Sequence, residues 1–203
     1  MKIAIVGATG FVGTYLLAEA VERGHQITAI TRNPEKVPVN KNVKAVKADV
    51  TNENDLAAAI EGHDAVITSV HFTQIKEKTI VGAVRKAKVP RLLVVGGAGS
   101  LEIAPGKLLF DIPEFPEAYK SEAKAGGAFL DELKKEQDLN WTFLSPSAEF
   151  IPAPKTGKFR LGKDQLLSDS TGKSSIRNGD YAVAMLDEVE KPQHARQRFT
   201  VGY

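Results

Sequence analysis

The chain begins Met1-Lys2-Ile3-Ala4-Ile5-Val6-Gly7-Ala8-Thr9-Gly10-Phe11-Val12-Gly13, a short apolar run that stops at the first of three glycines spaced Gly-x-x-Gly-x-x-Gly. A buried strand over Ile3 to Val6, a tight turn and a helix beginning near Phe11 follow from that pattern. Such a turn is an anion site: its N–H groups and the helix N-terminus carry partial positive charge, and glycine lets a phosphate approach the main chain. Dinucleotide binders use Gly-x-Gly-x-x-Gly, so this variant has one extra residue in the first turn. The spacing alone is weak; the strand–turn–helix context makes Gly7, Thr9, Gly10, Phe11 and Val12 candidate contacts to a pyrophosphate.

Strands and helices alternate through the first two-thirds of the chain. Residues 27–30, 43–46, 65–68, 92–95 and 141–144 are short, mostly aliphatic or β-branched, and bounded by Gly, Pro, Asp or Asn. Helical patterns fall between them over 11–23, 54–61, 73–88 and 117–137. Apolar strands alternating with helices predict an α/β fold, a Rossmann-like doubly wound parallel sheet of order 3-2-1-4-5-6. After Pro146 the chain turns rich in Pro, Gly, Lys and Ser, then reads as a helix over 180–190 and a strand over 198–201. The expectation is one domain over 1–203, with 146–203 contributing a small lobe over the strand ends.

Composition excludes several classes. The chain has 203 residues, a formal charge of +2 and no cysteine. Disulfides, thiol nucleophiles and thiolate metal sites are ruled out, and the charge is too small to argue for nucleic acid or an anionic membrane. The basic stretch from Lys76 to Arg91 reads as the solvated face of a helix. The start lacks the long apolar run of a signal peptide, and no stretch approaches the ~20 apolar residues of a membrane span. A cytoplasmic protein, monomer or homodimer, is expected. No pair of histidines has metal-ligand spacing, so no metal is expected.

The second strand bears on cofactor type. NAD binders place an acid near its end for the ribose hydroxyls. Here the segment reads Ile30-Thr31-Arg32-Asn33-Pro34-Glu35-Lys36, with no acid at the tip. Arg32 suits a 2′-phosphate and Lys36 adds charge, which points to NADPH with NADH possible; the competing reading is an exposed turn arginine. Asp49, with Val50 beside it, follows the third strand and is either an acceptor for the adenine amino group or a turn residue.

Ser69-Val70-His71-Phe72 follows the fourth strand, where the sheet order reverses and ligands bind. Ser69 and Val70 are candidate cofactor contacts. His71 is either a donor to a phosphate or carbonyl, or a surface histidine; Phe72 offers a flat surface. Gly96-Gly97-Ala98-Gly99-Ser100 closes the fifth strand, so that Ser100 either meets a reacting carbonyl or belongs to a flexible loop. Pro146 ends the sixth strand beside the expected nicotinamide position.

Tyr119 opens the long helix. A Tyr-x-x-x-Lys pair would let the lysine lower the phenol pKa for proton transfer. The residue four beyond Tyr119 is Ala123, and Lys124 lies about 500° around the helix, off the tyrosine's face. That acid–base pair is absent, although Tyr119 can line the pocket.

The chain resembles the atypical short-chain dehydrogenase/reductase group of NAD(P)H-binding proteins. More narrowly it resembles bacterial NADH-flavin reductases, relatives of biliverdin reductase B and of NmrA-like proteins. The likeness rests on residues 7–13, Thr31-Arg32-Asn33-Pro34, Ala48-Asp49-Val50, Trp141 to Pro146, Thr156 to Gly162, Asp180-Tyr181-Ala182 and Arg198 to Tyr203. It implies a nicotinamide-dependent oxidoreductase passing hydride to a flavin, a quinone or a similar flat conjugated acceptor. Any flavin would then be a substrate rather than a bound prosthetic group. His71, Ser100 and Tyr119 become the candidate catalytic residues. The missing Tyr–Lys pair fits, because positioning alone can supply much of the acceleration for such a transfer. The alternative that the same likeness allows is a regulator of NmrA-like type that senses NAD(P)H without turning it over.

Overall fold

The computed structural model describes residues 1–203. In chain order the elements are β1 (Lys2–Val6), α1 (Gly13–Glu22), β2 (Gln26–Thr31), β3 (Val43–Lys47), α2 (Glu53–Ile60), β4 (Ala65–Thr68) and α3 (Glu77–Lys86). They continue as β5 (Arg91–Val95), β6 (Glu102–Ala104), β7 (Lys107–Leu108), α4 (Glu117–Leu133), β8 (Asn140–Ser145) and β9 (Glu149–Ile151). The last are β10 (Arg160–Gly162), β11 (Ser175–Arg177), α5 (Asn178–Glu190) and β12 (Gln197–Gly202).

The main sheet runs β10-β12-β8-β5-β4-β1-β2-β3. Its β3-β2-β1-β4-β5-β8 part is the doubly wound order expected from the strand–helix alternation. Beyond β8 the sheet gains β12 in parallel and β10 antiparallel to it.

Residues alternate between the two faces of each strand, and both faces are apolar. Ile3 and Ile5 join one core with Leu16 of α1 and Met185 of α5. Ala4 and Val6 join the other with Leu56, Ile80 and Phe129 of α2, α3 and α4. The edge strand β3 shows Lys44 and Lys47 to solvent, a charged edge that discourages pairing with another chain.

Helix ends are chemically marked. The Asn52 side chain accepts from the N–H groups of Asn54 and Asp55 and starts α2. At the end of α1, Gly24 takes φ +79° while the His25 N–H reaches Ala20 O and the Gly24 N–H reaches Val21 O. This is a left-handed glycine stop.

Three expected boundaries move. Helix α1 starts at Gly13, with Phe11 and Val12 in the preceding turn. The expected helix over 73–88 divides into a 3₁₀ turn at Phe72–Gln74 and α3, because Ile75 is extended and buried between them. The long helix ends at Leu133, where Lys135 and Glu136 switch to the tighter i→i−3 bonding of a terminal turn.

Residues 146–203 do two things. Pro146 to Phe150 reach the strand ends, whereas α5 packs on α1 and β12 joins the main sheet. No helix is long and apolar enough to cross a membrane.

Candidate functional site

A cleft of about 1770 Å³ lies along the carboxyl ends of the parallel strands, where ligands bind in open α/β sheets. The glycine loop forms its floor. Gly7 takes φ +82°, and a Cβ there would meet the Ser69 carbonyl at 2.2 Å. A Cβ on Gly13 would meet the Gly7 carbonyl at 2.0 Å. These two glycines therefore let α1 and the end of β4 close on the turn.

The N–H groups of Thr9, Phe11 and Val12 donate to no protein acceptor. Three unpaired donors at the start of α1, with no acid in its first turn, have the geometry expected of an anion site. The loop is held from both sides. Thr9 and Thr31 share a hydroxyl–hydroxyl hydrogen bond at 2.7 Å, and the Asn178 side-chain amide donates to Phe11 O at 3.0 Å.

Arg32 and Lys36 line the cleft from the turn after β2; both are exposed and neither pairs with an acid. Asp49 and Val50 line the same end. The Thr51 hydroxyl and N–H both donate to Asp49 Oδ1, at 2.7 and 2.9 Å, and hold its carboxyl below the usual range.

Ser69, Val70 and His71 line the middle of the cleft. His71 is exposed, with Nδ1 at 3.4 Å from Glu122 Oε1. Phe72 lines the cleft but does not offer a free flat face. Its ring stacks on Phe143 at 5.9 Å and leans on Phe129 at 5.1 Å, with Gly126 leaving room for it.

Pro146, Phe150 and Tyr119 also line the cleft, the Phe150 ring meeting Phe11 of the glycine loop edge-on at 6.0 Å. Tyr119 is 66% exposed, with its hydroxyl free of any protein partner. Glu122 and Ala123 line the cleft beside it and Lys124 does not, so alanine stands where a partner lysine would be.

Ser100 corrects the sequence expectation. It does not line the cleft: its hydroxyl accepts from Arg198 Nη1 at 3.0 Å, and its Cβ faces Gly127 of α4. The chain turns after Gly99, which does line the cleft, and carries Ser100 away to the back of the strand end.

Sequence reasoning missed three contributors. Glu122 accepts from Phe72 N–H at 2.7 Å, Thr73 N–H at 3.1 Å and the Thr73 hydroxyl at 2.8 Å. The segment 109–116 brings Leu109, Ile112, Phe115 and Pro116 to the cleft. Asn178, fully buried, steadies the glycine loop from α5. The run of apolar residues and prolines over 109–116 was the only visible signal, because the other two act through tertiary contacts.

A doubly wound sheet with three open main-chain donors at its glycine turn defines a nucleotide-binding α/β protein. Residues 7–192 match the family described as NAD(P)H-binding, and the chain belongs to that family. The uncharacterized protein YwnB of Bacillus subtilis (strain 168) is 42% identical over 211 residues, covering 99% of this chain and 98% of its own. A solved structure from Bacteroides thetaiotaomicron, described as a candidate epimerase, shares 46% identity and a TM-score of 0.95. It covers 100% of this chain and 96% of its own. Another, from Streptococcus pneumoniae TIGR4 and described as a candidate NADH-flavin reductase, shares 35% identity and a TM-score of 0.84. The match spans 100% of this chain and 99% of that one. The resemblance to the atypical short-chain dehydrogenase/reductase group holds, and the protein is an oxidoreductase-like member of an NAD(P)H-binding family.

Proposed function

We propose that the protein is an NAD(P)H-dependent reductase acting on a flavin, a quinone or a similar flat conjugated acceptor. The observation that carries this reading is the cleft itself. Its volume of about 1770 Å³ exceeds the 300–1,000 Å³ of ordinary single-ligand sites, leaving room for a second molecule beside a dinucleotide. The two ends also differ in chemistry. One has open N–H donors and unpaired cations; the other is walled by Phe115, Pro116, Tyr119 and Pro146.

The residues fit the cofactor. Thr9, Phe11 and Val12 would hold the pyrophosphate through their N–H groups, with Gly7 and Gly10 giving it access to the main chain. Arg32 and Lys36 would grip a 2′-phosphate, favouring NADPH over NADH, while Asp49 accepts from the adenine amino group. Val50, Ser69 and Val70 complete that side. When bound, a reduced nicotinamide supplies hydride, which carries two electrons and one proton to the acceptor. The acceptor then takes one further proton. His71, exposed and with Nδ1 at 3.4 Å from Glu122, would hold that proton at Nε2. Tyr119 and Pro146 orient the acceptor ring and exclude water from one face.

Ala123 argues against chemistry at a saturated carbon. Alcohol oxidation or epimerisation normally calls for a base such as the tyrosine–lysine pair, and no lysine stands four beyond Tyr119. Transfer to an electron-poor ring makes less demand on a base. The description of the Streptococcus relative supports the same class.

The test is NADPH and NADH oxidation with riboflavin, FMN and a small quinone panel. Turnover of any of these supports the reading. Tight nucleotide binding with no turnover of any acceptor would replace it with a nucleotide-sensing regulator.

A further inference from the structure

The cleft carries all of its cations at one end, where Asp49 and Asp55 also line it. Every lysine or arginine that lines it, namely Arg32, Lys36 and Lys47, comes from β3 or from the turn that follows β2. From β5 onward no lysine or arginine lines it, while Glu114, Glu122 and Glu149 do.

The three glutamates are not equivalent. Glu122 is occupied by the main-chain donors of Phe72 and Thr73 and by the Thr73 hydroxyl. Glu149 pairs with Lys173 at 3.0 Å. Glu114 is exposed on the segment before α4 and has no cation beside it. Around it the wall is apolar, formed by Leu109, Ile112, Phe115, Pro116 and Tyr119.

We infer that the acceptor is an uncharged conjugated ring, and that Glu114 selects against phosphorylated or sulfonated forms of it. This rests on the reductase reading above. A phosphate group carries between one and two negative charges near neutral pH, on the order of those of a phosphorylated side chain. At this end it would meet an unpaired carboxylate and no lysine or arginine in the lining. Like charges lower both the encounter rate and the affinity of an anionic ligand, and discrimination built from repulsion is a recognised route to specificity. The opposite end, by contrast, offers the phosphates of the dinucleotide three N–H donors and free cations. One polarity thus serves two purposes: it orients the cofactor and filters the second ligand.

Two matched pairs of probes test this: riboflavin against FMN, and menadione against menadione sulfonate. Binding is measured by equilibrium dialysis with NADP⁺ present, so that no turnover occurs, and kcat/KM by NADPH oxidation. The neutral member of each pair should be favoured by roughly tenfold, and the gap should narrow in about 0.5 M salt. Glu114→Lys, an exposed substitution, should narrow the preference for riboflavin over FMN by roughly fivefold. Equal or better binding of the anionic member overturns the inference while leaving the reductase reading intact, as does a ratio unmoved by Glu114→Lys. If none of the four probes is bound or reduced, the reductase reading falls and this inference falls with it.

Discussion

Glu122 on α4 accepts a hydrogen bond from the Phe72 main-chain N–H at 2.7 Å, across fifty residues of sequence. Its second oxygen takes the Thr73 N–H and hydroxyl at 3.1 and 2.8 Å. One carboxylate therefore satisfies the start of the 3₁₀ turn after β4 and fixes the distance between the middle of the cleft and its α4 wall. His71 and Tyr119 both line the cleft, on the two segments that this contact joins.

Glu122→Gln should cost about 1–3 kcal/mol, because an amide N–H is turned toward donors that expect an acceptor. Urea unfolding measures that loss. NADPH turnover should fall as well, with the effect mainly in kcat, since the nucleotide contacts lie elsewhere. Full stability in Glu122→Gln would show that the contact is incidental.

Arg32→Ala should weaken NADPH at least tenfold, about 1.4 kcal/mol, and leave NADH nearly unchanged. The exposed, unpaired guanidinium makes the inference specific, because no structural contact is lost with the side chain. Titration by nucleotide fluorescence separates the two cofactors, and equal losses would remove Arg32 from 2′-phosphate recognition.

The sheet and the glycine turn were legible because their signals are local. A run such as Ile3 to Val6 followed by Gly7 states strand, turn and helix within ten residues. The two faces of the sheet follow from strands that are apolar throughout. What sequence could not show depends on contacts between distant segments. Glu122 looks like one more acid on a charged helix until α4 is docked on the loop after β4. Phe72 was expected to present a free face, yet packing against Phe129 and Phe143 claims most of its ring. The short β6, β7, β9 and β11 have only two or three residues each, too few for a period-two pattern.

Ser100 illustrates the same limit in the other direction. Three glycines beyond a strand suggested that the serine after them meets the substrate, but a turn of one more residue points it at Arg198. Ser100→Ala should leave nucleotide affinity and turnover within about twofold of wild type. It should lower stability by about 0.5–1.5 kcal/mol, since Arg198 keeps its bonds to Ser100 O and Asp164. A large loss of kcat with intact stability would restore Ser100 to the site.

Asp180, wholly buried at the start of α5, accepts from Thr156 N–H and hydroxyl, Gly157 N–H and the Tyr203 hydroxyl. Burial raises its pKa, but these donors outweigh it and hold the carboxyl below its ordinary value of 3.8. A depressed folded pKa means stability that is present above the unfolded value and lost as pH falls through the folded one. Asp180→Asn should therefore cost about 1–3 kcal/mol at pH 7 and progressively less as the pH falls from the unfolded value of about 3.9 through the depressed folded one. Urea unfolding at several pH values tests this, and a cost independent of pH would assign the effect to packing alone.

Lys88, two residues past the end of α3, lies in the left-handed region at φ +53°, with its N–H bonded to Arg85 O and the Val89 N–H to Val84 O. This is the geometry that Gly24 adopts after α1, but here a side chain pays the steric cost of a conformation glycine enters freely. Pro90 follows and prevents the helix from continuing. Lys88→Gly should raise stability by about 0.5–1 kcal/mol, the relief of strain exceeding the extra freedom glycine gives the unfolded chain. Lys88→Ala serves as the control, since it removes the charge and keeps the Cβ, and it should leave the urea midpoint unchanged. A gain in both variants would place the effect in charge rather than in backbone strain.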